Sequence, residues 1–283
     1  MELVTVTCKR DLPQMLLQAE SIQKFLKPCV HWVIVNDRHI DQDNWRNLLS
    51  PYYRNHQLNL LFTNWKDYKY DGWFKQQLYK LSISNYVNDD YVVLDSKNFF
   101  IKACDIDAWK NTIGPGCLDY NIQKSEYISA SNYIANYFNI EPLKTVLSSE
   151  TPFVFNHNIV KKSISTDNFF RWFNNKNCSE FIFYSYLIKD ELTGPLGNPP
   201  KHQTIWRYEN QLTDLFFNNI HRSDITVFGL HRYLLNNIDK SSLTELNNFL
   251  DRLGFKNKLK KRTRVDRINY QFELIKNYIF PNY

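Results

Sequence analysis

The first hundred residues switch repeatedly between two hydrophobic periods. Leu3 to Thr7 (LVTVT) is a short β-branched apolar run, as a buried strand requires. Leu12, Met15, Leu16, Ala19, Ile22 and Leu26 then fall at helical spacing, with Pro13 tolerated in the first turn. His31 to Asp37 (HWVIVND) and Leu58 to Phe62 (LNLLF) read as further strands, separated by a polar helix over Asp43 to Leu49. A helix is predicted from Trp73 (WFKQQLYKLSISNYV), opening after Asp71-Gly72. Asp90 to Ser96 (DYVVLDS) is a fourth strand, apolar enough to be buried on both faces. Repeated β-α-β units imply a parallel sheet with right-handed crossovers. The predicted class is therefore α/β.

The second half is less regular. Ser125 to Phe138 reads as a helix, and Thr151 to Val160 (TPFVFNHNIV) as a strand that turns and returns. Cys178 to Ile188 fits helix or strand equally well. Gly194 to Trp206 holds two of the seven glycines and three of the ten prolines, so it reads as a mobile loop or lid. Ser223 to Leu235 is a short strand leading into His231-Arg232. Ser242-Leu-Thr-Glu245 is a capping box for a helix through Leu253, stopped by Gly254. Val265, Ile268, Phe272, Ile275 and Ile279 define a last amphipathic helix. No internal repeat or separate second core is visible. The reading is one domain over residues 1–235, its halves meeting near residue 103, and a helical appendage over 236–283.

Composition removes several function classes. Seven glycines include no dinucleotide fingerprint and no P-loop; Gly114 and Gly116, in GPGCLD, complete neither. Five widely spaced cysteines form no CxxC, which argues against a zinc site or disulfide framework and favours a reducing cytosol. There is no Gly-x-Ser-x-Gly elbow and no HExxH. The N-terminal residues do not read as a signal peptide, and no apolar run is long enough to span a membrane. The expected location is the cytoplasm. Seven of the 35 Lys and Arg residues, and one of the 29 Asp and Glu, lie between Lys256 and Arg267. The other 28 of each cancel, so the +6 charge is one local patch rather than a nucleic-acid-binding face.

Ligands of parallel α/β sheets collect outside the carboxyl ends of the strands. Those ends carry Thr7-Cys8-Lys9-Arg10-Asp11, Asn36-Asp37, Thr63-Asn64 and Asp95-Ser96-Lys97-Asn98. Any one of these residues could simply cap a turn, but four polar ends on one rim mark a binding edge.

Four segments on that edge, VTVTCKRD, HWVIVND, DGWFKQQLYKL and VVLDSKNFFIK, together resemble type-A (GT-A) glycosyltransferases. The likeness is greatest to the poorly characterised glycosyltransferase-like proteins of bacterial and viral surface-polysaccharide loci. There a GW-x-x-QQ-x-x-KL helix precedes a strand ending in Asp-Ser-Asp. It covers residues 2–103, and extends weakly through Ser179-Glu180 to His231-Arg232. The resemblance implies a Rossmann-like mixed sheet flanked by helices, and transfer of a sugar from a nucleotide-sugar donor to a glycan or lipid-linked glycan hydroxyl. It also implies that Thr7 and its neighbours meet the nucleotide and that Asp37 meets its base or ribose. Trp73, Gln76, Gln77 and Lys80 would face the donor, with Asp95 the first carboxylate of an Asp-x-Asp metal motif. Glu180 would be the general base, in an apolar setting that raises its pKa. Asp119, Asp190 and Glu191 are spare candidates, and His231 would contribute to the diphosphate or metal.

The second carboxylate position of that motif is Lys97. Two readings follow. Lys97 replaces the metal by pairing with the diphosphate itself, with Ser96 beside it and Lys9, Arg10 or Lys80 assisting. Alternatively, the protein keeps the fold as a silent carbohydrate-binding or scaffold relative. Asp95 and His231 could still hold Mn²⁺ or Mg²⁺ weakly. Trp73 and Trp206 read as packing residues or as aromatic platforms for a sugar or base. The basic run and last helix, residues 256–283, read as a solvated linker and docked helix, a peripheral anionic-membrane contact, or an oligomer contact.

Overall fold

The computed structural model describes residues 1–37, 41–63, 72–110, 125–165, 169–173, 178–190, 201–206 and 212–261. Strands β1 (Glu2–Thr7), β2 (Val30–Val35), β3 (Gln57–Phe62) and β4 (Tyr91–Asp95) lie parallel in the order β3-β2-β1-β4. Strand β6 (Phe153–Phe155) closes the β4 edge antiparallel, with Val92 opposite Val154. A second sheet is built from β5 (Asn98–Phe100), β8 (Val227–Leu230) and β7 (His202–Ile205), in the order β5-β8-β7.

Every position of β1 is buried, because both sheet faces are covered. Val4 and Val6 face a core shared with α3 (Gly72–Ser82), α4 (Ser125–Phe138), α5 (His157–Ile164) and α7 (Glu180–Leu187). Leu3 faces the opposite side, against α1 (Leu12–Phe25) and α2 (Gln42–Leu49). A third core joins Phe99 and Phe228 of the second sheet to α8 (Asp214–Arg222), α9 (Arg232–Asn237) and α10 (Lys240–Arg252). Residues 240–259 thus pack directly on the sheet that carries β5. Among the described residues no helix is long and apolar enough to cross a membrane.

Local chemistry decides the elements that the sequence pattern leaves open or assigns differently. Phe153–Phe155 does not turn back as a second strand. The Asn156 side chain accepts from the Ile159 amide at 3.0 Å and starts α5 instead. Cys178 to Ile188 resolves as helix α7. The expected lid is partly a strand, since His202–Ile205 pairs in parallel with β8; Gly194 and Gly197 lie outside the described residues. The cap of α10 is Asp239, which accepts from the Ser242 amide at 2.7 Å, while Ser242 is buried inside the helix. Gly254 ends α10 at φ +73°, where a side chain would be strained. Gly229 lets β7 approach β8: a Cβ there would stand 2.4 Å from Thr204 Oγ1.

A buried polar chain crosses the α1 side of the sheet. The Thr5 hydroxyl donates to Gln18 Oε1 at 2.8 Å and therefore accepts from His31 Nε2 at 3.0 Å. That fixes the His31 proton on Nε2 and leaves Nδ1 to accept from Tyr53 Oη at 2.7 Å. Burial, with a smaller contribution from His56, pushes the His31 pKa down to about 3. An unfolded imidazole takes a proton near ~6.5, so unfolding gains a proton between those values and stability falls as pH drops through that window. The wild type is expected to lose on the order of 2 kcal/mol more than His31→Gln between pH 7 and pH 5, read as the difference in their urea-unfolding free energies. An equal loss in both proteins would remove His31 as the source.

Candidate functional site

Strand β4 ends at Asp95, and the turn Ser96-Lys97 leads straight into β5. The Asp95 amide donates to Asn98 Oδ1 at 2.9 Å, and its carbonyl accepts from Gln18 Nε2 at 2.9 Å. With its backbone held from both sides, the carboxylate projects over the carboxyl edge of the sheet. Oδ1 lies 3.1 Å from Lys80 Nζ, in the last turn of α3, and Oδ2 pairs with Lys97. Thr151, just before β6, donates to Oδ2 at 3.1 Å and to Asn98 Oδ1 at 2.8 Å. Lys80 also reaches Glu180 Oε1 at 3.0 Å, and the Gln77 amide, nitrogen inward, donates to the same carboxylate. The result is a chain of alternating charge: Glu180, Lys80, Asp95, Lys97.

Burial opposes charge at each of its three inner members. At Asp95, Lys80 and Lys97 overcome that cost and hold the carboxyl well below the usual range. At Lys80, burial is outweighed by Asp95 and Glu180, so its pKa is raised. At Glu180 burial wins and raises the pKa, with Lys80 only partly offsetting it. Protonating Glu180 therefore leaves two ammonium groups facing one carboxylate, a net positive site.

Asp95, Lys97 and Lys80 line a cleft of about 890 Å³, with Gln76 and Gln77 along one wall and Glu150, His202, Trp206, His231 and Arg232 among the others. A recess of about 70 Å³ shares Gln76, Asp95, Lys97, His231 and Arg232, and runs toward Val6, Asp11 and Gln14. Lys97 Nζ also lies 4.4 Å from the Trp206 ring centroid, and that ring is 4.7 Å from His231. His231 caps α9 by accepting from the Tyr233 amide at Nδ1, 3.3 Å away, so its proton sits on Nε2. Burial, then Lys97 and Arg232, lower its pKa to about 4. At neutral pH it is an uncharged donor.

Most of the residues selected from the sequence meet at this edge. Asp95, Lys97, Lys80, Gln76, Gln77, Ser96 and His231 all border the cleft or its recess. Thr7 and Asp37 lie at neighbouring strand ends. Asp37 Oδ2 accepts from the Lys9 amide at 2.7 Å, and burial raises its pKa to about 6. The Thr7 hydroxyl is buried and meets no hydrogen-bond partner among the described residues. Lys9 is exposed and Arg10 half-buried beside Asp11. Trp73 sits in the first turn of α3, but its side chain lies outside the described residues, as do Asp119, Glu191 and the Val265–Ile279 helix. Asp190 is exposed beyond α7.

Glu180 departs from its expected place. It is 0% exposed, beneath Lys80, and does not line the cleft. The carboxylate there pairs with Lys80 at 3.0 Å. The sequence also gave no warning of Thr151, Glu150 and His202, because no motif surrounds them and only the fold carries β6 and β7 to the Asp95 edge.

A divalent metal needs several oxygen or imidazole ligands converging on one point. Both Asp95 oxygens are already taken by ammonium groups and Nδ1 of His231 is taken by a backbone amide. No group of three His, Cys, Asp or Glu that could hold a metal occurs among the described residues. Among the described residues, those at this edge do not fit a metal.

No protein-family model matches the chain, and no curated protein matches it in sequence. Solved structures do match. The galactosyltransferase LgtC, in complex with donor and acceptor sugar analogues, superposes with a TM-score of 0.51 at 10% identity, over 90% of this chain and 95% of its own. An active-site mutant of LgtC matches with a TM-score of 0.51 at 10% identity, over 89% and 96% of the two chains. The chain has the GT-A fold. The bifunctional glycosyltransferase WbbM, without ligand, aligns over 96% of this chain and 51% of its own, with a TM-score of 0.49 and 14% identity. At the end of β4 this chain carries Asp95-Ser96-Lys97.

Proposed function

We propose that the protein transfers a sugar from a nucleotide-diphosphate donor to a glycan hydroxyl, and that the donor diphosphate is held by Lys97 and Lys80 in place of a metal. The observation that carries this reading is the pair of ammonium groups on one carboxylate at the carboxyl end of β4, inside the large cleft. In a nucleotide-sugar transferase the leaving group is a nucleoside diphosphate, whose negative charge grows as the glycosidic bond breaks. Two lysines aimed at that place supply the stabilisation a cation gives elsewhere. Neutral His231 adds an Nε2–H donor. Asp95 and Glu180 position the lysines. Thr7 and Asp37, at the ends of β1 and β2, are the candidates for the base and ribose.

Thermal-shift screening in metal-free buffer with UDP, GDP, TDP and CMP tests this. One of the diphosphates is expected to raise Tm, and CMP, which lacks the second phosphate, is expected to raise it least. No response to any of the four would refute the donor reading, and a response confined to CMP would refute the diphosphate clamp.

A further inference from the structure

Trp206 is 49% exposed although it stands in the wall of the cleft. It is also held by its neighbours. Ile205 pairs with Leu230, the His231 amide donates to the Ile205 carbonyl at 2.9 Å, and the indole packs against the Lys97 ammonium and the His231 ring. A large aromatic fixed by its neighbours and left half open costs little further ordering when a ligand covers it. The groups around the opening are polar and capable of hydrogen bonding. Glu150 and His202 are paired at 3.0 Å, and Ser149, Gln203 and Thr204 line the same space. An apolar plate ringed by hydroxyl-binding groups matches a pyranose, which has one face of C–H groups and a rim of hydroxyls.

The position of the plate says which part of the donor it meets, an assignment that rests on the donor reading above. The recess toward β1 is bordered by Val6, Asp11 and Gln14 but not by Trp206, whereas the large cleft contains Trp206 and no β1 residue. Lys97 borders both. A donor whose diphosphate sits on Lys97 with its nucleoside toward β1 therefore places its sugar, one bond beyond the diphosphate, against Trp206. We infer that Trp206, with Glu150 and His202, forms the donor-sugar subsite: the indole takes the C–H face of the hexose, and the Glu150–His202 pair takes its hydroxyls.

Saturation-transfer NMR and calorimetry on the full chain, with UDP-glucose, UDP-galactose and GDP-mannose against UDP and GDP alone, test the assignment. For the sugar nucleotide that binds, ring protons of the hexose should saturate strongly. Trp206→Ala should weaken that ligand about 5- to 13-fold, the effect of one stacking contact of ~1–1.5 kcal/mol, and leave the free diphosphate within twofold of wild type. Trp206→Phe, which keeps a ring beside Lys97, should recover most of the loss. Equal weakening of sugar nucleotide and free diphosphate, or no weakening of either, would overturn the subsite. If wild type binds UDP or GDP and the hexose protons stay unsaturated, the donor reading survives and the subsite does not. If wild type binds none of the five ligands, both fall.

Discussion

Replacing Lys97 by Ala is expected to weaken nucleoside-diphosphate binding by about 10- to 100-fold while leaving the fold intact. A hydrogen bond to a charged group is worth ~1.5–3 kcal/mol, which spans that range of Kd. Lys97 is partly exposed at the turn after β4, so its removal opens no core cavity. Asp95 keeps Lys80 at 3.1 Å and Thr151 at 3.1 Å. What changes is the charge toward the cleft: one of two cations is gone and Asp95 Oδ2 is uncovered. Lys97→Asp tests the same logic in reverse, because it restores a second carboxylate where GT-A glycosyltransferases of the Asp-x-Asp type carry one. That variant should lose metal-free binding and regain it in Mn²⁺. Isothermal titration with the diphosphate found to bind measures both. An alanine variant with wild-type affinity would remove Lys97 from the site.

Lys80→Met is expected to destabilise the protein by about 3–5 kcal/mol, the cost of leaving a buried charge without its partner. Lys80 is the link between Asp95 and Glu180, and its loss falls unequally on the two. Asp95 is partly exposed and keeps Lys97. Glu180 is wholly buried and keeps the Gln77 amide and a backbone amide but no cation among the described residues. It must then stay protonated, or the helix start that carries it must shift. A second substitution, Glu180→Leu, should recover more than half of that loss, since apolar replacement of a buried ion pair is often nearly neutral. Urea unfolding of the two variants separates these outcomes. A Lys80→Met protein within 1 kcal/mol of wild type, on the same ~3–5 kcal/mol scale, would mean that the buried pair is not coupled as described. Neither variant should bind a diphosphate tightly, because both lack Lys80.

The first half of the fold was legible because its strands are long, apolar and followed by clear helical spacing. LVTVT, HWVIVND, LNLLF and DYVVLDS each became a parallel strand within a residue or two. Of the second sheet, only β8 was legible, as the short strand ahead of His231-Arg232. Its strands have three or four residues, too few for a period, and β8 includes Gly229, whose purpose is contact with Thr204 from another strand. The site divides the same way. Asp95, Lys97, Gln77 and Lys80 lie in one stretch of sequence, and the strand-end rule and the motif both pointed to them. Glu150, Thr151, His202 and Trp206 reach the cleft only through pairings of β6 with β4 and of β7 with β8. Glu180 was visible as a carboxylate in an apolar setting, but its pairing with Lys80 was not, because an acidic residue ahead of aromatics looks the same whether it opens a surface helix or anchors a buried lysine.

The measurement closest to the central claim is calorimetric titration of the wild type with its diphosphate in EDTA and again in Mn²⁺. Two lysines standing in for a metal require the same Kd, within about twofold, in both buffers, since an ammonium pair needs no divalent ion to engage a diphosphate. Binding that disappears in EDTA and returns with Mn²⁺ would contradict that arrangement and return Asp95 to the role of a metal ligand.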